Sequence, residues 1–300
     1  MQRSAIRPDG TLDVVRHAMP RSRLDDLYHL LITLSWPGVL ALLASCYFLL
    51  NLAFGLLYLA GGNNIANARP GSLVDAMEFS VQTFATIGYG VFSPATPWAH
   101  FLVSVEALVG IVFSALATGL MFAKFARPTA KVLFARRACV SLHEGKPTLM
   151  LRIANGRSNL IMEANATLRV SRMETTREGV SLRRFYDIDL LRSTNSVFAL
   201  GWTLFHVIDE KSPLRGQTPA QMVANDSLFI LLVTGIDDTV VANVHARHVF
   251  TGRDLAWNER YVDVMVPGED GRLVMHYDRF HDTVPVDEAH RVTVSTDQGD

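Results

Sequence analysis

Two long apolar runs dominate the first half of the chain. No charged side chain occurs from Trp36 to Ala60, and only Glu106 carries a charge between Trp98 and Ala123. A helix rises about 1.5 Å per residue, so a run of about 25 residues crosses a hydrocarbon core of about 30 Å. The pattern predicts two transmembrane helices, over 36–60 and 97–125. The alternative, buried core helices of a soluble protein, is disfavoured because such helices are rarely this long without charge.

A shorter amphipathic stretch lies between the two runs. Its apolar positions recur at helical spacing, at Leu73, Met77, Val81 and Phe84. Ser72, followed three positions later by Asp75, resembles a capping box with a shortened acid. We predict a helix over 73–85 that is too short to span, followed by a returning strand. Non-helical backbone at membrane depth is tolerated only inside protein or beside an aqueous cavity.

The returning strand begins with TIGYG, residues 86–90. If the carbonyls from Thr86 to Tyr89 and the Thr86 hydroxyl face one axis, symmetric copies form stacked oxygen cages that replace the hydration shell of K⁺. Gly88 and Gly90 permit the backbone angles that this arrangement needs. We therefore predict a selectivity filter made of Thr86, Ile87, Gly88, Tyr89 and Gly90, with K⁺ at the first four residues and Tyr89 braced against the pore helix. The alternative is that these residues form an ordinary turn by chance. The position of TIGYG between two predicted spans argues against this alternative.

The second half of the chain has a different pattern. From about residue 138, short alternating segments such as TLMLRIAN, ATLRVSRM and LFILLVTGI are separated by Gly, Asn, Asp and Pro. This alternation predicts an all-β sandwich. The sequence lacks a nucleotide loop, paired-Cys zinc spacing and a GxSxG elbow, so we expect neither an enzyme nor an organic cofactor. His245 and His248 are interpreted as structural histidines, because spacing by three in a strand places them on opposite faces.

The distribution of charge predicts how the chain is oriented in the membrane, but it does not indicate a binding partner. The formal charge of −1 offers no indication of nucleic acid binding. Between the two spans the only basic residue is Arg69, whereas basic residues cluster before the first span and after the second. The cluster after the second span consists of Lys124, Arg127, Lys131, Arg136 and Arg137. The positive-inside rule therefore predicts cytoplasmic termini. Cys46 and Cys139 imply no disulfide framework.

Beyond TIGYG, several longer stretches carry a family resemblance. They include LDDLYHLLITLSW, MFAKFARPTAKVLFA, EGKPTLMLRIANGR, HVIDEKSPLRG and VHARHVF. Together they resemble the inward rectifier potassium channels, most closely their bacterial branch, known as KirBac. The resemblance extends over about residues 24–286. It implies a homotetramer with K⁺ as the permeant ion, located in the bacterial inner membrane.

The resemblance also implies a division of the chain into segments. A tetrameric membrane α domain of two transmembrane helices, a re-entrant pore helix and a filter precedes an immunoglobulin-like cytoplasmic β-sandwich. The implied segments are 1–23, N-terminal; 24–35, interfacial slide helix; 36–126, pore domain; 127–137, basic tether; 138–286, sandwich domain; and 287–300, C-terminal tail.

The inner helix carries four positions that the resemblance marks. Phe122 matches a bulky ring that closes the pore at the bundle crossing. Gly110 and Gly119 are interpreted either as hinges or as sites of close helix packing. Glu106 is expected behind the filter near Gln82, where a carboxylate and an amide share a hydrogen bond that braces the filter.

Acidic positions decide rectification in this family. Strong rectifiers carry an acid midway along the inner helix, and here that position is Ser114. We therefore expect weak voltage-dependent block by Mg²⁺ or polyamines from that site, with Ba²⁺ as a further blocker. Glu163 and Asp238 match acids that line the family's cytoplasmic vestibule; the alternative is that both are solvated surface acids.

The basic tether suggests a regulator. Its five cations follow the inner helix directly, where headgroups of anionic phospholipids or phosphoinositides lie. Topology alone is the alternative explanation, and the sign of any lipid effect stays open. The sequence thus favours a lipid-gated K⁺ channel; a poorly conducting channel-like sensor or regulatory subunit is the alternative, and a membrane-anchored enzyme lacks any catalytic constellation.

Overall fold

The computed structural model describes residues 30–126, 131–268 and 271–292. Two compact units divide the chain, and they join in sequence between Arg127 and Pro128. The predicted N-terminal segment, residues 24–29 of the predicted slide helix, Arg127 and the end of the C-terminal tail lie outside the described residues.

Within the described residues, the first unit contains a helical turn at residues 30–33, three further helices and a two-stranded ribbon. In chain order they are α1 (Trp36–Ala60), β1 (Ile65–Ala66), α2 (Leu73–Phe84), β2 (Ser93–Pro94) and α3 (Pro97–Phe125). Helices α1 and α3 are both long and apolar enough to cross a membrane. They coincide with the two spans that the apolar runs predict, and α2 ends one residue earlier than predicted.

Local sequence explains where the long helices begin. The Ser35 hydroxyl accepts a hydrogen bond from the Gly38 amide at 3.4 Å, and the Thr96 hydroxyl accepts one from the Ala99 amide at 3.2 Å. A proline follows each cap in the first helical turn, where its missing N–H group costs nothing. Hydroxyl caps and prolines therefore set the start of both spans.

A small aromatic core joins the three helices. The rings of Tyr58 on α1 and Phe79 on α2 meet edge to face, with centroids 5.0 Å apart. Gly55 allows α1 to approach α2 closely, because a Cβ atom there would lie 3.2 Å from the side chain of Met77. Helix α2 is thus held against α1 by aromatic packing and a close backbone approach.

The second unit is built almost entirely of strands. They are β3 (Val132–Phe134), β4 (Ala138–His143), β5 (Lys146–Asn155), β6 (Ile161–Thr175), β7 (Ser181–Ile188), β8 (Thr194–Phe198), β9 (Gly201–Val207), β10 (Leu228–Asp237), β11 (Ala242–Thr251), β12 (Leu255–Trp257), β13 (Glu259–Tyr261), β14 (Met265–Pro267), β15 (Leu273–Met275) and β16 (Thr283–Pro285), with a short helix α4 (Pro219–Ala224).

Two five-stranded sheets form the sandwich. One has the order β12–β4–β5–β3 with β9 also paired to β5, and the other has the order β11–β10–β6–β7 with β8 also paired to β6. All of these pairs are antiparallel except β12 with β4. A shared hydrophobic core lies between them and includes Leu149, Leu151, Leu168, Phe229 and Phe250. The all-β sandwich predicted for this half is confirmed.

Strand β6 shows how the alternating pattern builds this core. Ala164, Ala166, Leu168 and Val170 are buried at every second position. Ile161 is also buried, although it precedes Ala164 by three positions. The pairing with β10 shifts here, so that Glu163 and Ala164 together oppose Gly235. This extra residue is a β-bulge that keeps both parts of the strand facing the core.

His206 on β9 is the most enclosed histidine of the sandwich. Its Nδ1 lies 2.7 Å from the carbonyl oxygen of Asp189, and its Nε2 lies 2.7 Å from the hydroxyl of Ser212. Burial lowers the pKa of His206, and the hydrogen bond to the Asp189 carbonyl opposes that effect only partly. The folded domain therefore favours the neutral imidazole.

We expect the sandwich to lose stability as the pH falls below the ordinary histidine pKa of about 6.5. The unfolded chain then binds a proton at His206 while the folded domain, with its lowered pKa, does not. His206→Gln should flatten this part of the stability profile, measured by thermal unfolding of the purified protein between about pH 7 and pH 5. The exposed His245→Gln serves as the control, and equal pH slopes in wild type and His206→Gln would contradict the interpretation.

Candidate functional site

The backbone after α2 has an alternating conformation. Thr86, Gly88 and Gly90 have positive φ angles of 56°, 57° and 81°, while Ile87 and Tyr89 between them do not. In an extended strand successive carbonyls point to opposite sides. When the backbone alternates between left-handed and right-handed conformations, the carbonyls can instead point to one side. Glycine adopts positive φ readily, whereas a β-branched threonine rarely does. Strain of this kind concentrates at functional sites.

The amides of this segment are tied to the pore helix. Ile87 and Gly88 both donate to the carbonyl oxygen of Gln82, at 2.8 and 3.3 Å, and Thr86 donates to that of Thr83 at 3.0 Å. The backbone hydrogen bonds of the described residues use none of the carbonyl oxygens from Thr86 to Tyr89. The segment therefore offers a row of acceptors whose partners must come from elsewhere.

The side chains of the segment face a groove beside α2. This groove has a volume of about 440 Å³, and its lining includes Val74, Met77, Gln82, Ile87 and Tyr89. Tyr89 is 73% exposed in the single chain. The Tyr89 ring lines this groove together with residues of α2, and its role in bracing the strand stays a prediction.

The loops on either side of the segment are joined. Strands β1 and β2 pair Ile65 with Pro94 and Ala66 with Ser93. The side-chain amide of Asn67 donates to the backbone carbonyl of Val91, one residue beyond TIGYG, at 2.8 Å. The entrance to the pore helix and the exit from the returning strand are thereby held in one ribbon.

Asp75 caps the pore helix in a way that differs from a capping box. The Ser72 hydroxyl accepts from the Asp75 amide, as expected. However, the Asp75 carboxylate binds the backbone amide and guanidinium of Arg69, at 2.7 and 2.6 Å. The only basic residue between the spans therefore anchors the start of α2.

Glu106 lies at the centre of a buried polar cluster. Its carboxylate accepts from the Tyr58 hydroxyl at 2.6 Å and from the Ser80 hydroxyl. The Ser80 hydroxyl also lies 3.0 Å from the side-chain oxygen of Asn51, whose amide donates to the Tyr47 carbonyl. Asn51, Tyr58, Ser80 and Glu106 are each at most 1% exposed. We call these four residues the buried joint; they connect α1, α2 and α3.

The predicted hydrogen bond between Glu106 and Gln82 is wrong, since Glu106 accepts from Tyr58 and Ser80 instead. Ser80 takes that place, because successive helical residues are about 100° apart and residues 80 and 82 therefore face nearly opposite directions. Gln82 instead contributes its backbone carbonyl to the amides of the returning strand and its side chain to the groove. Both residues remain close to the filter, but by separate contacts.

Sequence reasoning missed the other members of the buried joint. Asn51 and Tyr58 are seven residues apart in an uncharged span, a spacing that places both on one face of a helix. Polar side chains inside a span usually face protein rather than lipid. This spacing was the available signal for Asn51 and Tyr58, whereas nothing in the sequence marks Ser80, the one serine within α2, as a partner of Glu106.

The two glycines of α3 differ in their surroundings. A Cβ atom at Gly110 would lie 2.4 Å from the carbonyl oxygen of Phe84, at the C-terminus of α2. A Cβ atom at Gly119 would meet nothing within 4 Å in this chain. Close packing therefore accounts for Gly110, and the contacts of the single chain give no such reason for Gly119.

The C-terminal half of α3 presents an exposed face. Ser114 and Phe122 are two helical turns apart and both exposed, Phe122 by 73%. The basic residues differ in their contacts: Lys131, Arg136 and Arg137 are exposed, whereas Lys124 is partly buried. Arg137 pairs with Glu259 at 2.9 Å, and Lys124 binds backbone carbonyls ahead of α1.

The two predicted vestibule acids are held differently. Glu163 is exposed at the β6 bulge with a positive φ of 50°. Asp238 is exposed at the turn after β10, but its carboxylate accepts from the Leu160 amide at 2.9 Å. A strained acid without a structural hydrogen bond of that kind suits a solvent-facing role better than Asp238 does.

The described residues contain no group of three or more His, Cys, Asp or Glu side chains placed to hold a metal ion. His245 is exposed, whereas His248 stacks on Phe134 with centroids 5.1 Å apart. The two histidines thus lie in different environments of one strand.

Comparisons with known proteins agree with each other. Residues 132–300 match the family model of the inward rectifier potassium channel C-terminal domain, and residues 39–127 match an ion channel model. The inward rectifier potassium channel Kirbac3.1 from Paramagnetospirillum magnetotacticum is 44% identical over 92% of this chain and 94% of its own length. The human ATP-sensitive inward rectifier potassium channel 11 is 28% identical over 88% of this chain and 73% of its own.

A match among solved structures is much weaker. The sporulation control protein Spo0M from Bacillus subtilis covers 43% of this chain and 49% of its own, with a TM-score of 0.25 and 7% identity. A likeness at this level carries no argument about fold or function.

The glycine contacts lead to a matched pair of variants. We expect Gly110→Ala to destabilise the protein by about 1–3 kcal/mol, because its Cβ would collide with the Phe84 carbonyl. Gly119→Ala should have no such cost, since the space there is open in the single chain. Thermal unfolding of both purified variants measures the difference. Equal losses at the two positions would contradict the proposed close approach of α3 to α2.

Proposed function

The chain belongs to the inward rectifier potassium channel family, and we propose that it conducts K⁺ passively through a pore formed by four copies of itself. The observation that supports this best is the TIGYG segment, whose amides bond to α2 while its carbonyl row lacks backbone partners. Dehydrated K⁺ supplies the partner that such carbonyls need. Residues Thr86, Ile87, Gly88 and Tyr89 hold the ion, and Gly90 completes the turn.

The assembly follows from what one chain leaves exposed. Residues 86–90 are all exposed in the single chain, and one row of carbonyls cannot surround an ion. The groove beside Tyr89 and the apolar faces of α1 and α3 likewise need cover, from neighbouring copies and from lipid. A homotetramer encloses the ion with oxygen on all sides and supplies a neighbour for each groove.

The buried joint acts as the brace of the filter. Glu106 holds α1 through Tyr58 and α2 through Ser80, and α2 in turn holds the amides of residues 87 and 88 through Gln82. Hydrogen bonds to charged groups are among the stronger ones in proteins. The position of the carbonyl row therefore depends on a chain of contacts that begins at Glu106.

The gate lies at the cytoplasmic end of α3. Phe122 from each copy forms a ring of apolar side chains that closes the pore by excluding water. Gly119, which has open space around it, permits the bend that opens this ring. The cytoplasmic domain and anionic lipids bias this gate. Lys131 and Arg136, which are exposed, attract the headgroups, together with Lys124, Arg127 and Arg137.

Block by internal cations is weak. Ser114 offers a hydroxyl where a strong rectifier has a carboxylate, so Mg²⁺ and polyamines gain little attraction in the pore. Glu163 provides a shallower site in the cytoplasmic vestibule, and its strained, exposed position supports this role. Asp238 contributes less, since its carboxylate caps the Leu160 amide.

The protein is oriented by its basic residues. The cluster after α3 and the arginines before α1 remain on the cytoplasmic side, and Arg69 faces outward with residues 61–97. We therefore place it in the bacterial inner membrane with both termini in the cytoplasm.

Ion flux tests the proposed function directly. Protein reconstituted in liposomes should take up rubidium, which substitutes for K⁺, while Na⁺ is excluded and Ba²⁺ blocks. Gly88→Ala should abolish this flux because alanine resists a φ of 57° in the filter. Gly179→Ala is the matched control, with a φ of 82° in a turn of the sandwich. It should retain flux.

Two results would oppose the proposal. Absence of K⁺-selective flux under every lipid condition would favour the poorly conducting sensor or regulatory subunit. Equal loss of flux in Gly88→Ala and Gly179→Ala would show a general folding defect instead of a filter effect.

A further inference from the structure

The two ends of the TIGYG segment are held very differently. At its start, three successive backbone amides donate to carbonyls of α2. Residues 89–92 form no backbone hydrogen bond within the part of the chain that the structure describes. Their one hydrogen bond to that part joins the side-chain amide of Asn67 to the carbonyl of Val91. Apart from the packing of Phe92 against the aromatic core of the helices, the exit of the segment depends on this single contact.

Asn67 suits the contact in its backbone as well as in its side chain. It has a positive φ of 65°, a conformation that glycine adopts freely and asparagine and aspartate tolerate. Of these three residue types, only asparagine carries a short side chain that donates a hydrogen bond at neutral pH. The residue therefore combines the backbone that the turn requires with the donor that the Val91 carbonyl receives.

The loop that carries Asn67 is fixed by a buried asparagine. Asn64 is 2% exposed, and its side-chain amide donates to the Tyr58 carbonyl at 2.6 Å. Its side-chain oxygen accepts from the Thr96 hydroxyl at 2.7 Å, and its backbone carbonyl accepts from the Ala95 amide at 2.8 Å. Asn64 thus ties the loop to the end of α1 and to the start of α3.

The same loop also reaches the start of α2. Two positions after Asn67, the backbone amide and guanidinium of Arg69 bind the Asp75 carboxylate. We call residues 64–69 the outer clamp. A ring of contacts is thereby closed: α2 holds the start of the TIGYG segment, the outer clamp holds its exit, and the clamp is itself bonded to α2. Asn67 supplies the polar contact of this ring at the exit.

The exit needs such a contact most when no ion is bound. A carbonyl that loses its ion is left without a partner in a site shielded from water, and rotation of its peptide unit brings it to another donor. Gly88 and Gly90 on either side of Tyr89 have no Cβ atoms to hinder this rotation, and the space around both is open in the single chain. A fixed Val91 carbonyl restrains the chain that would have to follow.

We propose that Asn67 is a positioning residue that keeps the outer end of the filter in its conducting form when the outermost K⁺ leaves. This rests on the K⁺ conduction proposed above and adds the group that sustains it. K⁺ and Asn67 support the same backbone conformation, one from the pore axis and the other from the outer clamp. Loss of the Asn67 donor is therefore compensated by K⁺, whereas damage to the fold is not.

The test removes the donor in two ways. Asn67→Gly keeps the backbone freedom and Asn67→Asp keeps the size of the side chain, but neither ionised aspartate nor glycine donates to the Val91 carbonyl. Each protein is reconstituted in planar bilayers with equal K⁺ on both sides, replaced by N-methylglucamine at constant ionic strength. The measured quantity is the fraction of the initial current that persists during a long voltage step.

Both variants should lose current during the step at low K⁺ and retain it at high K⁺. The K⁺ concentration that preserves half of the initial current should rise about fivefold above the wild-type value, since a neutral hydrogen bond contributes about 1 kcal/mol. Asn63→Asp is the matched control, because it adds the same charge to an exposed position of the same loop. It should behave as wild type.

The other outcomes overturn the proposal in distinguishable ways. If both Asn67 variants sustain current as wild type does, the outer clamp does not act on the filter, although the channel stands. If both lose current equally at every K⁺ concentration, Asn67 serves the fold alone. A response of Asn67→Asp without one of Asn67→Gly would assign the effect to added charge. Absence of K⁺-selective current in wild type would instead overturn the proposed function itself.

Discussion

Inside a membrane every backbone carbonyl needs a hydrogen-bond donor or a cation as its partner, and this requirement constrains the structure of this protein. Helices α1 and α3 satisfy their own carbonyls, so they can stand against lipid. The returning strand from Thr86 to Tyr89 does not: the amides of Thr86, Ile87 and Gly88 are bonded to α2, while its carbonyls accept no backbone hydrogen bond from the residues that the structure describes. A site for a dehydrated cation is the consequence of that imbalance. The strain at Thr86 is tolerated because α2 and the flanking ribbon hold the segment on both sides.

The same constraint recurs at the break before α1. Ser35 and Pro37 interrupt the helix, so the carbonyls of Ile32 and Leu34 lack helical partners. Lys124 of α3 donates hydrogen bonds to both carbonyls. At residues 86–89 the proposed partner is a K⁺ ion, whereas here the partner is the ammonium group of Lys124. Both places combine a broken helix with a cationic partner, and a cationic partner can be exchanged.

Much of the architecture was predictable, and the reason is periodicity. The uncharged runs predict α1 and α3, and the alternation after residue 138 predicts the sandwich, because both patterns reflect burial on a regular backbone. Glycines at 88 and 90 indicate their positive φ, but nothing in a threonine signals the same at position 86. The irregular spacing of Ile161 and Ala164 would have indicated the bulge at Glu163.

Side-chain partners were harder to predict, since they depend on rotation about helix axes. Ser80 and Gln82 are only two positions apart on α2, yet Ser80 binds Glu106 and Gln82 does not. Lys124 looked like a lipid ligand because the sequence shows only its charge and its place after a span. Its carbonyl partners arise from a break some ninety residues earlier, which becomes relevant only when the helices are packed together.

The central claim is that the buried joint holds the carbonyl row in the form that binds K⁺. Melting temperatures of wild type and Glu106→Gln, each in K⁺ and in Na⁺ at equal ionic strength, test it most directly. A bound ion stabilises the folded state, so K⁺ should raise the melting temperature of wild type above its value in Na⁺. This K⁺-specific increase should be largely lost in Glu106→Gln, because Tyr58 and Ser80 donate to different oxygens of the carboxylate, and glutamine replaces one of these oxygens with an NH₂ group that does not accept. An equal K⁺-specific increase in the two proteins would contradict the account.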